Sequence, residues 1–415
     1  MVDPSQAFVL SGGGVFGAYQ VGVMKALMEG RSAATGHRQL VPGVLSGTST
    51  GGYNATFLTA QCPKAGPEAI RQLESVWLGR IGGRSSGEAN GVYRFRANPF
   101  IFLRPEEVSE APLFFALRFA GDLVVVSRDY LQRLRYFLGP SESFPEERLL
   151  GFIDIMPLIS TQPLKQTIRA TIDFEAVQAS PIDLRILVTN WTTGGVTTFD
   201  NRVMYQDTGP GILQASTAVP GMFPWIQAGV FKYVDGGLLA NLPVASAIRA
   251  GATSLHAIYP NRWTWSASVQ QEPGLVAALL RNQGITWANA ARRDIQRAQA
   301  INGLIDRLRR LQSRAKTTPH RDPDLQSQLH ELEEALKQTL GNTSGQRLPL
   351  VEIHNYCLGP IQDKNPLGPM AFSKTRVQHL MERGFFDAVH HDCKAARCIL
   401  PQTEVAETTA AGGPP

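Results

Sequence analysis

The sequence has few cysteines, no long hydrophobic run and no basic leader, and each absence excludes a class of protein. Four cysteines in 415 residues are too few for a disulfide-stabilised secreted scaffold and favour a reducing compartment. The longest apolar stretch, Leu113 to Val126, is interrupted by Arg118 and Asp122, so it is too short and too charged to cross a bilayer. The opening MVDPSQAFVL has neither the basic start nor the apolar core of a secretory signal. We therefore expect a cytoplasmic protein, with secretion by a route that leaves no N-terminal signal as the alternative.

The net charge is also small. At +5 it is compatible with peripheral contact with an anionic membrane but does not require it. The chain has no basic run interleaved with aromatic residues, as a nucleic-acid groove would need, so nucleic acid is not an expected partner. The 43% hydrophobic content is typical of a globular protein with a sizeable core. No cofactor is expected, and nothing in the sequence indicates an oligomeric state.

Apolar runs of strand length alternate with helical segments along the chain. Such alternation predicts an α/β fold with a mainly parallel central sheet and helices on both faces. An apolar helix is expected over Val15–Met28, and a late helix is expected after Ser373, a plausible N-cap. The predicted strands are Phe8–Leu10, Val41–Ser46, Leu184–Thr189, Ser254–Tyr259 and Leu350–Tyr356.

The pattern divides the chain into a core and two insertions. Residues 1–262 form the predicted core, and the Phe- and Leu-rich segment 99–138 within it is either a cap over a site or ordinary core. Residues 289–340 carry apolar residues at helical spacing on either side of a Pro-containing break, which predicts a charged helical hairpin. Residues 346–392 return to the core with the last strand and helix. Residues 400–415 are expected to be disordered because they lack aromatic residues.

The stretch SGGGVFGAYQVG, which begins at Ser11, follows the first strand and opens the first helix. Glycines at such a turn let backbone N–H groups approach a phosphate or an oxyanion. The spacing of Gly12, Gly14 and Gly17 also matches the dinucleotide-binding fingerprint. That fingerprint needs an acidic residue about 20 positions further on, and no Asp or Glu lies between Gly30 and Tyr53.

The second strand is followed by Gly47-Thr-Ser-Thr-Gly51. A G-x-S-x-G motif between an apolar strand and an apolar helix is typical of a nucleophile elbow. The pattern predicts Ser49 as the nucleophile, with the N–H of Thr50 facing a developing oxyanion. The N–H groups of Gly12, Gly13 and Gly14 would supply the other donors of this oxyanion hole.

The base for Ser49 is less evident from the pattern. None of the eight histidines lies in a glycine-marked turn, and His256 and His354 fall inside apparent strands. Asp235 ends an apolar strand and is followed by Gly236 and Gly237. Carboxyl ends of strands are where α/β sheets place their sites, although a lone Asp-Gly-Gly by itself favours a structural turn.

Three stretches taken together resemble the patatin-like phospholipases: SGGGVFGAYQVGVMKAL, GVLSGTSTGGYNA and FKYVDGGLLANLPVASAIRAGA. The resemblance implies a three-layer α/β/α sandwich and hydrolysis of lipid acyl esters, without a cofactor, by a Ser–Asp dyad that here would be Ser49 and Asp235. Phe16 stands where the family usually has Arg or Lys. This departure keeps two alternatives open, a carboxylesterase acting on other esters and a weakly active lipid-binding member.

The residues of His390-His391-Asp392-Cys393, together with Cys398, could be read as metal ligands. Their spacing matches no standard zinc pattern. We interpret these cysteines as free thiols and predict no metal site.

Overall fold

The computed structural model describes residues 2–61, 66–83, 90–98, 112–139, 156–260, 274–317, 323–340, 349–359 and 368–400. The predicted disordered tail lies outside these residues apart from Leu400, as does the first part of the apolar insertion. The strands within the described segments are β1 (Asp3–Leu10), β2 (Pro42–Thr48), β3 (Arg94–Phe95), β4 (Ile159–Ser160), β5 (Asp183–Asn190), β6 (Gly195–Asp200), β7 (Ile226–Ala228), β8 (Phe231–Asp235), β9 (Ser254–Pro260) and β10 (Glu352–Leu358). The α-helices are α1 (Gly17–Met28), α2 (Thr50–Gln61), α3 (Pro67–Val76), α4 (Pro112–Leu138), α5 (Gln162–Thr171), α6 (Phe174–Ala179), α7 (Gly209–Ser216), α8 (Val244–Arg249), α9 (Leu275–Thr317), α10 (Pro323–Leu340) and α11 (Lys374–Val389).

Eight strands form one mixed sheet. Strands β10, β9, β1, β2 and β5 lie side by side and are all parallel. Strands β6, β8 and β7 are added at the β5 end and pair antiparallel. The prediction of a mainly parallel central sheet is confirmed, and each predicted strand lies within or overlaps an observed one.

Helices cover both faces of this sheet because side chains along a strand point alternately to the two sides. Phe8 and Leu10 of β1 belong to one buried cluster, which includes residues of α1, α2, α3 and α11. Ala7 and Val9 belong to a second buried cluster, with residues of α8 and α9. This division confirms a three-layer α/β/α arrangement. The predicted helix after Ser373 is also present, and the Ser373 hydroxyl accepts a hydrogen bond from the N–H of Arg376 at 3.4 Å.

The helical hairpin is present as α9 and α10, but its first helix begins at Leu275 and not at 289. The early turns of α9 belong to the core, since Leu280 and Trp287 are buried. The boundary drawn from the sequence followed the change in charge, which falls after the residues that pack on the core.

The described part of the apolar insertion is the single helix α4, and it is not ordinary core. Its buried residue is Asp122, which forms a two-pronged ion pair with Arg94 of β3 at 2.5 and 2.8 Å. Most of its large apolar side chains are exposed to solvent. Among the helices described, none combines the length and the hydropathy that a membrane span requires.

Candidate active site

Ser49 lies at a sharp turn between β2 and α2. The strand ends at Thr48, the helix begins at Thr50, and Ser49 has φ of 56°. A residue with a side chain in this left-handed region carries strain of about 1–3 kcal/mol. The turn directs Ser49 out of the strand at the carboxyl edge of the sheet and places it directly before the positive end of a helix dipole.

The glycines on either side of Ser49 allow this turn because backbone atoms come close to them. A Cβ on Gly47 would lie 2.4 Å from the carbonyl oxygen of Gly51. A Cβ on Gly51 would lie 2.4 Å from the carbonyl oxygen of Leu10, at the end of β1. A larger residue at either position would therefore force the elbow apart.

Ser216, the last residue of α7, holds the backbone of the elbow. Its hydroxyl accepts a hydrogen bond from the N–H of Ser49 at 2.8 Å and donates one to the carbonyl oxygen of Leu187 at 2.8 Å. One side chain thus fixes Ser49 relative to β5. The sequence analysis did not identify this role, because it depends on a contact across 167 residues.

Asp235 is the last residue of β8 and is fully buried. Its Oδ1 accepts a hydrogen bond from the N–H of Gly237 at 2.6 Å. Its Oδ2 has no aligned hydrogen-bond partner in the described part of the chain. Burial raises the pKa of this carboxyl to about 7, although the neighbouring Ser49 hydroxyl and the Gly237 N–H both lower it. Gly236 is tightly placed as well, since a Cβ there would lie 2.4 Å from the Leu187 carbonyl oxygen.

The pairing of β5 explains why Ser49 and Asp235 come together. One edge of β5 pairs with β6 from Arg185 to Asn190, and the other edge pairs with β2 as far as Thr48 opposite Leu187. At the next residue, Val188, that second edge pairs with Asp235 of β8. Strand β8 therefore occupies the edge that β2 leaves at the elbow, and Asp235 takes the position that follows Thr48.

The glycine-rich loop after β1 lies against the elbow. A Cβ on Gly12 would lie 3.0 Å from the Cβ of Ser49, and a Cβ on Gly17 would lie 2.5 Å from Oγ1 of Thr50. The N–H of Gly12 donates to the side-chain and backbone oxygens of Asn241 at 3.1 and 3.3 Å. Gly12 is therefore removed from the predicted oxyanion donors, because its N–H already has acceptors.

The next two glycines of the loop differ from Gly12. Gly13 and Gly14 have φ of 157° and 59°, and their N–H groups find no acceptor among the residues that the structure describes. The N–H of Thr50, at the first position of α2, is likewise without an intrahelical acceptor. Of these three residues, Gly14 and Thr50 line the same cavity as Ser49.

A narrow apolar cavity opens at Ser49. Its volume is about 40 Å³, and its lining is Gly14, Ser49, Thr50, Tyr53, Trp77, Ile81, Val92, Leu164, Thr217, Val219, Phe223, Trp287, Met370 and Phe372. The space holds one or two water molecules, so a fatty acyl chain requires side chains to move apart. A larger cleft of about 770 Å³ lies between α1, α3 and α11, but it is not lined by Ser49 or Asp235.

Trp287 of α9 lines this cavity and was not identified from the sequence. It is buried, and its Nε1 has no hydrogen-bond partner within the described segments. Its backbone carbonyl oxygen accepts from the side chain of Asn241 at 3.3 Å, which connects α9 to the glycine-rich loop. The first turns of the hairpin helix thus belong to the site.

Phe16 is buried beside the glycine-rich loop, and a cation lies over its ring. The guanidinium carbon of Arg376, in α11, is 5.7 Å from the ring centroid. A positive charge is therefore present near the loop, although it comes from a helix 360 residues further along the chain. The sequence analysis considered only position 16 itself and missed this contribution.

The histidines in the described segments do not line the cavity at Ser49. His256 is a buried residue of β9, and its Nδ1 lies 3.2 Å from the Tyr356 hydroxyl. The dinucleotide alternative finds no support in this geometry, because Ser49 and Asn241 occupy the space in front of the glycine-rich loop.

Comparison with known proteins agrees with this architecture. The family model for the patatin-like phospholipases matches residues 8–248, which is more than half of the chain and runs from within β1 to within α8. The chain therefore belongs to the patatin-like phospholipase family. Membership implies lipid acyl hydrolase activity and a lipid substrate.

No curated protein matches the chain. Among solved structures, it is similar to VipD from Legionella pneumophila, with 14% identity over 92% of this chain and 67% of that one and a TM-score of 0.31. The hairpin α9–α10 and the last strand and helix lie outside the residues that the family model matches.

Proposed function

We propose that the protein hydrolyses carboxylic ester bonds of lipids, of the phospholipase A or lysophospholipase type, through a dyad of Ser49 and Asp235. The observation that carries the proposal is the position of these two residues at adjacent places along one edge of β5. A buried carboxylate beside a strained serine is an arrangement that a structural turn would not need.

In the proposed reaction, ionised Asp235 accepts the proton of the Ser49 hydroxyl while the oxygen attacks the ester carbonyl carbon. The resulting oxyanion accepts hydrogen bonds from the N–H groups of Gly13, Gly14 and Thr50. Each such donor lowers the barrier by about 2.7–4 kcal/mol. Protonated Asp235 then gives its proton to the leaving alcohol as the carbon–oxygen bond breaks, which leaves an acyl-enzyme.

Water completes the cycle. Asp235 accepts a proton from a water molecule that attacks the acyl carbon, and Ser49 leaves with that proton as the fatty acid is released. A carboxylate with the ordinary pKa of about 3.9 would be a weak base, so the burial that raises the pKa of Asp235 to about 7 supports this role. Even so, the base remains better suited to esters than to amides, because an alcohol leaves more easily than an amine.

Helix α4 supports contact with a lipid surface. Leu117, Val124, Leu131 and Leu138 repeat every seven residues and are 65%, 67%, 58% and 72% exposed. The spacing places them on one face of the helix, opposite Asp122, through which the helix is tied to Arg94. Arg94 adjoins Tyr93, whose ring contacts Phe223 and Phe372 of the cavity lining. We propose that this apolar stripe rests on the membrane from which the substrate is taken.

Fatty-acid release from mixed phospholipid and lysophospholipid vesicles, read by mass spectrometry, tests the activity. We expect release by the wild type and none above background by Ser49→Ala or Asp235→Asn. Asp294→Asn is the control, because Asp294 is a half-buried carboxyl whose pKa is also raised by burial, to about 6, but which lies outside the cavity lining. Equal activity of the two Asn variants would exclude Asp235 as the base.

The same vesicles test the contact of α4. The double variant Leu117→Glu/Leu131→Glu should sediment with vesicles about tenfold less or lower still, since each leucine buried in the membrane contributes about 1.5–3 kcal/mol to binding. Leu311→Glu, at a leucine of α9 that is 50% exposed, should leave sedimentation unchanged. Unaltered binding of the double variant would overturn the role of the stripe.

A lipid-binding role without catalysis is the second candidate, and Phe16 is the observation in its favour. This lipid-binding role predicts that the wild type binds vesicles but hydrolyses neither lipids nor short-chain esters. Retention of Ser49 and Asp235 in close contact argues against it.

A further inference from the structure

Four side chains with metal-binding atoms meet beside β10, away from the candidate active site. His354 comes from the strand, and His391, Cys393 and Cys398 come from the segment that follows α11. One ligand atom from each residue lies within 4.8 Å of all the others. The sequence analysis treated this segment as free thiols, because the fourth residue, His354, lies 37 positions upstream and faces the cluster only once the strand has formed.

Two of the separations within the cluster are close to those of a tetrahedral site. Nε2 of His391 lies 3.3 Å from Sγ of Cys398, and Nδ1 of His354 lies 3.4 Å from Sγ of Cys393. Zinc with bonds of about 2.0–2.1 Å to nitrogen and about 2.3 Å to sulfur places its ligand atoms about 3.3–3.8 Å apart. Closing the remaining separations requires shifts of about an ångström at most.

The groups around the cluster orient the ligands as metal sites require. Nε2 of His354 lies 3.1 Å from a carboxylate oxygen of Glu352. That pairing places the imidazole proton on Nε2 and leaves the lone pair of Nδ1 directed at the cluster. Sγ of Cys398 accepts a hydrogen bond from the N–H of Asn355 at 3.3 Å, which suits a thiolate.

The backbone also holds the two cysteines in place. The N–H of Cys398 donates to the carbonyl oxygen of Cys393 at 2.9 Å, so the four residues between them form a compact turn. Ile399 then pairs with Ile353 through two hydrogen bonds of 2.8 and 2.9 Å, which fixes the turn against the strand that carries His354.

We propose that His354, His391, Cys393 and Cys398 bind one zinc ion. Two thiolates and two imidazoles in a tetrahedral arrangement select zinc over magnesium or calcium. Four protein ligands leave no open position, so the ion would be structural, joining the end of the described chain to β10. The proposal is independent of the function proposed for Ser49.

Two other arrangements of the same residues make different predictions. A disulfide between Cys393 and Cys398 would remove both thiolates and lower the intact mass by two hydrogens. Plain hydrogen bonds between neutral histidines and thiols would leave both cysteines reactive toward thiol reagents and would hold no metal.

The first test is the zinc content of the protein purified under reducing conditions without chelators. We expect about one zinc per chain and less than about a tenth of that in the double variant Cys393→Ser/Cys398→Ser. Cys357→Ser and His390→Ala are matched controls, since Cys357 is another cysteine of β10 and His390 is the neighbour of His391. Both controls should retain the metal.

Cobalt provides a test that needs no variant. Co²⁺ added to the chelated and reduced wild type should produce the thiolate-to-cobalt charge-transfer band and the visible bands of a tetrahedral site.

Thermal unfolding is a further test. The chelator should lower the midpoint of thermal unfolding of the wild type but not of the double variant Cys393→Ser/Cys398→Ser. An absent cobalt spectrum in the reduced wild type, or a Cys393–Cys398 disulfide that persists under the purification conditions, would overturn the proposal.

Discussion

Thr48 and Asp235 lie next to each other along the same edge of β5, Thr48 opposite Leu187 and Asp235 opposite Val188. The chain leaves the sheet immediately after Thr48, at Ser49, and β8 enters the vacated edge from the opposite direction. The sheet therefore brings a serine and a carboxylate together through its backbone pairing and not through flexible side chains. This arrangement is the basis of the proposed dyad and of the predictions that concern it.

The strain at Ser49 predicts a gain in stability when the side chain is removed. Glycine adopts φ of 56° without the cost that serine carries there. We expect Ser49→Gly to raise the free energy of unfolding by about 1 kcal/mol relative to Ser49→Ala, measured by urea denaturation. His37→Gly, at an exposed residue with φ of 57°, measures how much the same relief of backbone strain raises the free energy of unfolding outside the site. A glycine variant less stable than the alanine variant would show that the elbow is not strained.

The raised pKa of Asp235 predicts a particular dependence of stability on pH. The folded protein holds the proton of this carboxyl up to pH of about 7, whereas the unfolded chain releases it near the ordinary value of about 3.9. Between these values the folded state binds more protons, so the contribution of Asp235 to stability falls as pH rises. Asn at this position has no such charge to bury.

Denaturation of the wild type and of Asp235→Asn at two pH values measures this contribution. Relative to the variant, the wild type should lose roughly 3 kcal/mol between pH 5 and pH 8. The Asp294→Asn substitution measures the effect of removing a half-buried carboxyl elsewhere in the fold. Parallel stability curves for wild type and Asp235→Asn would mean that the carboxyl ionises normally.

Arg376 is predicted to support the glycine-rich loop through Phe16. A cation over a buried ring contributes about 0.5–2 kcal/mol, and its removal should loosen the turn that carries Gly13 and Gly14. We expect Arg376→Met to lower kcat/KM for an activated ester about fivefold, with Arg376→Lys closer to the wild type. Equal values for all three proteins would show that the charge has no part in positioning the loop.

The local features of the site were predictable from the sequence because they depend on short-range geometry. The strand before Ser49, the glycines beside it and the turn after Asp235 each have a backbone signature within a few residues. The contacts of Ser216, Asn241 and Trp287 were not predictable, since each joins segments far apart in the chain.

Helix α4 and the cluster at His354 also could not be predicted from the sequence alone. The apolar residues of α4 were as compatible with core as with a cap, because a sequence does not state which face a helix buries. The residue that completes the candidate zinc site lies within a strand, where a histidine is indistinguishable from a packed one until its neighbours are known.

The most direct test of the dyad is the rate at which Ser49 is acylated, measured from pH 5 to pH 9. The initial burst with an activated short-chain ester reports this step, and wild type is compared with Asp235→Asn. We predict a wild-type rate that rises to a plateau with a midpoint near pH 7, the pKa of the buried carboxyl, and a variant rate about 10²–10⁴-fold lower. A burst of wild-type size in Asp235→Asn, or a wild-type rate independent of pH over this range, would contradict the assignment of Asp235 as the base.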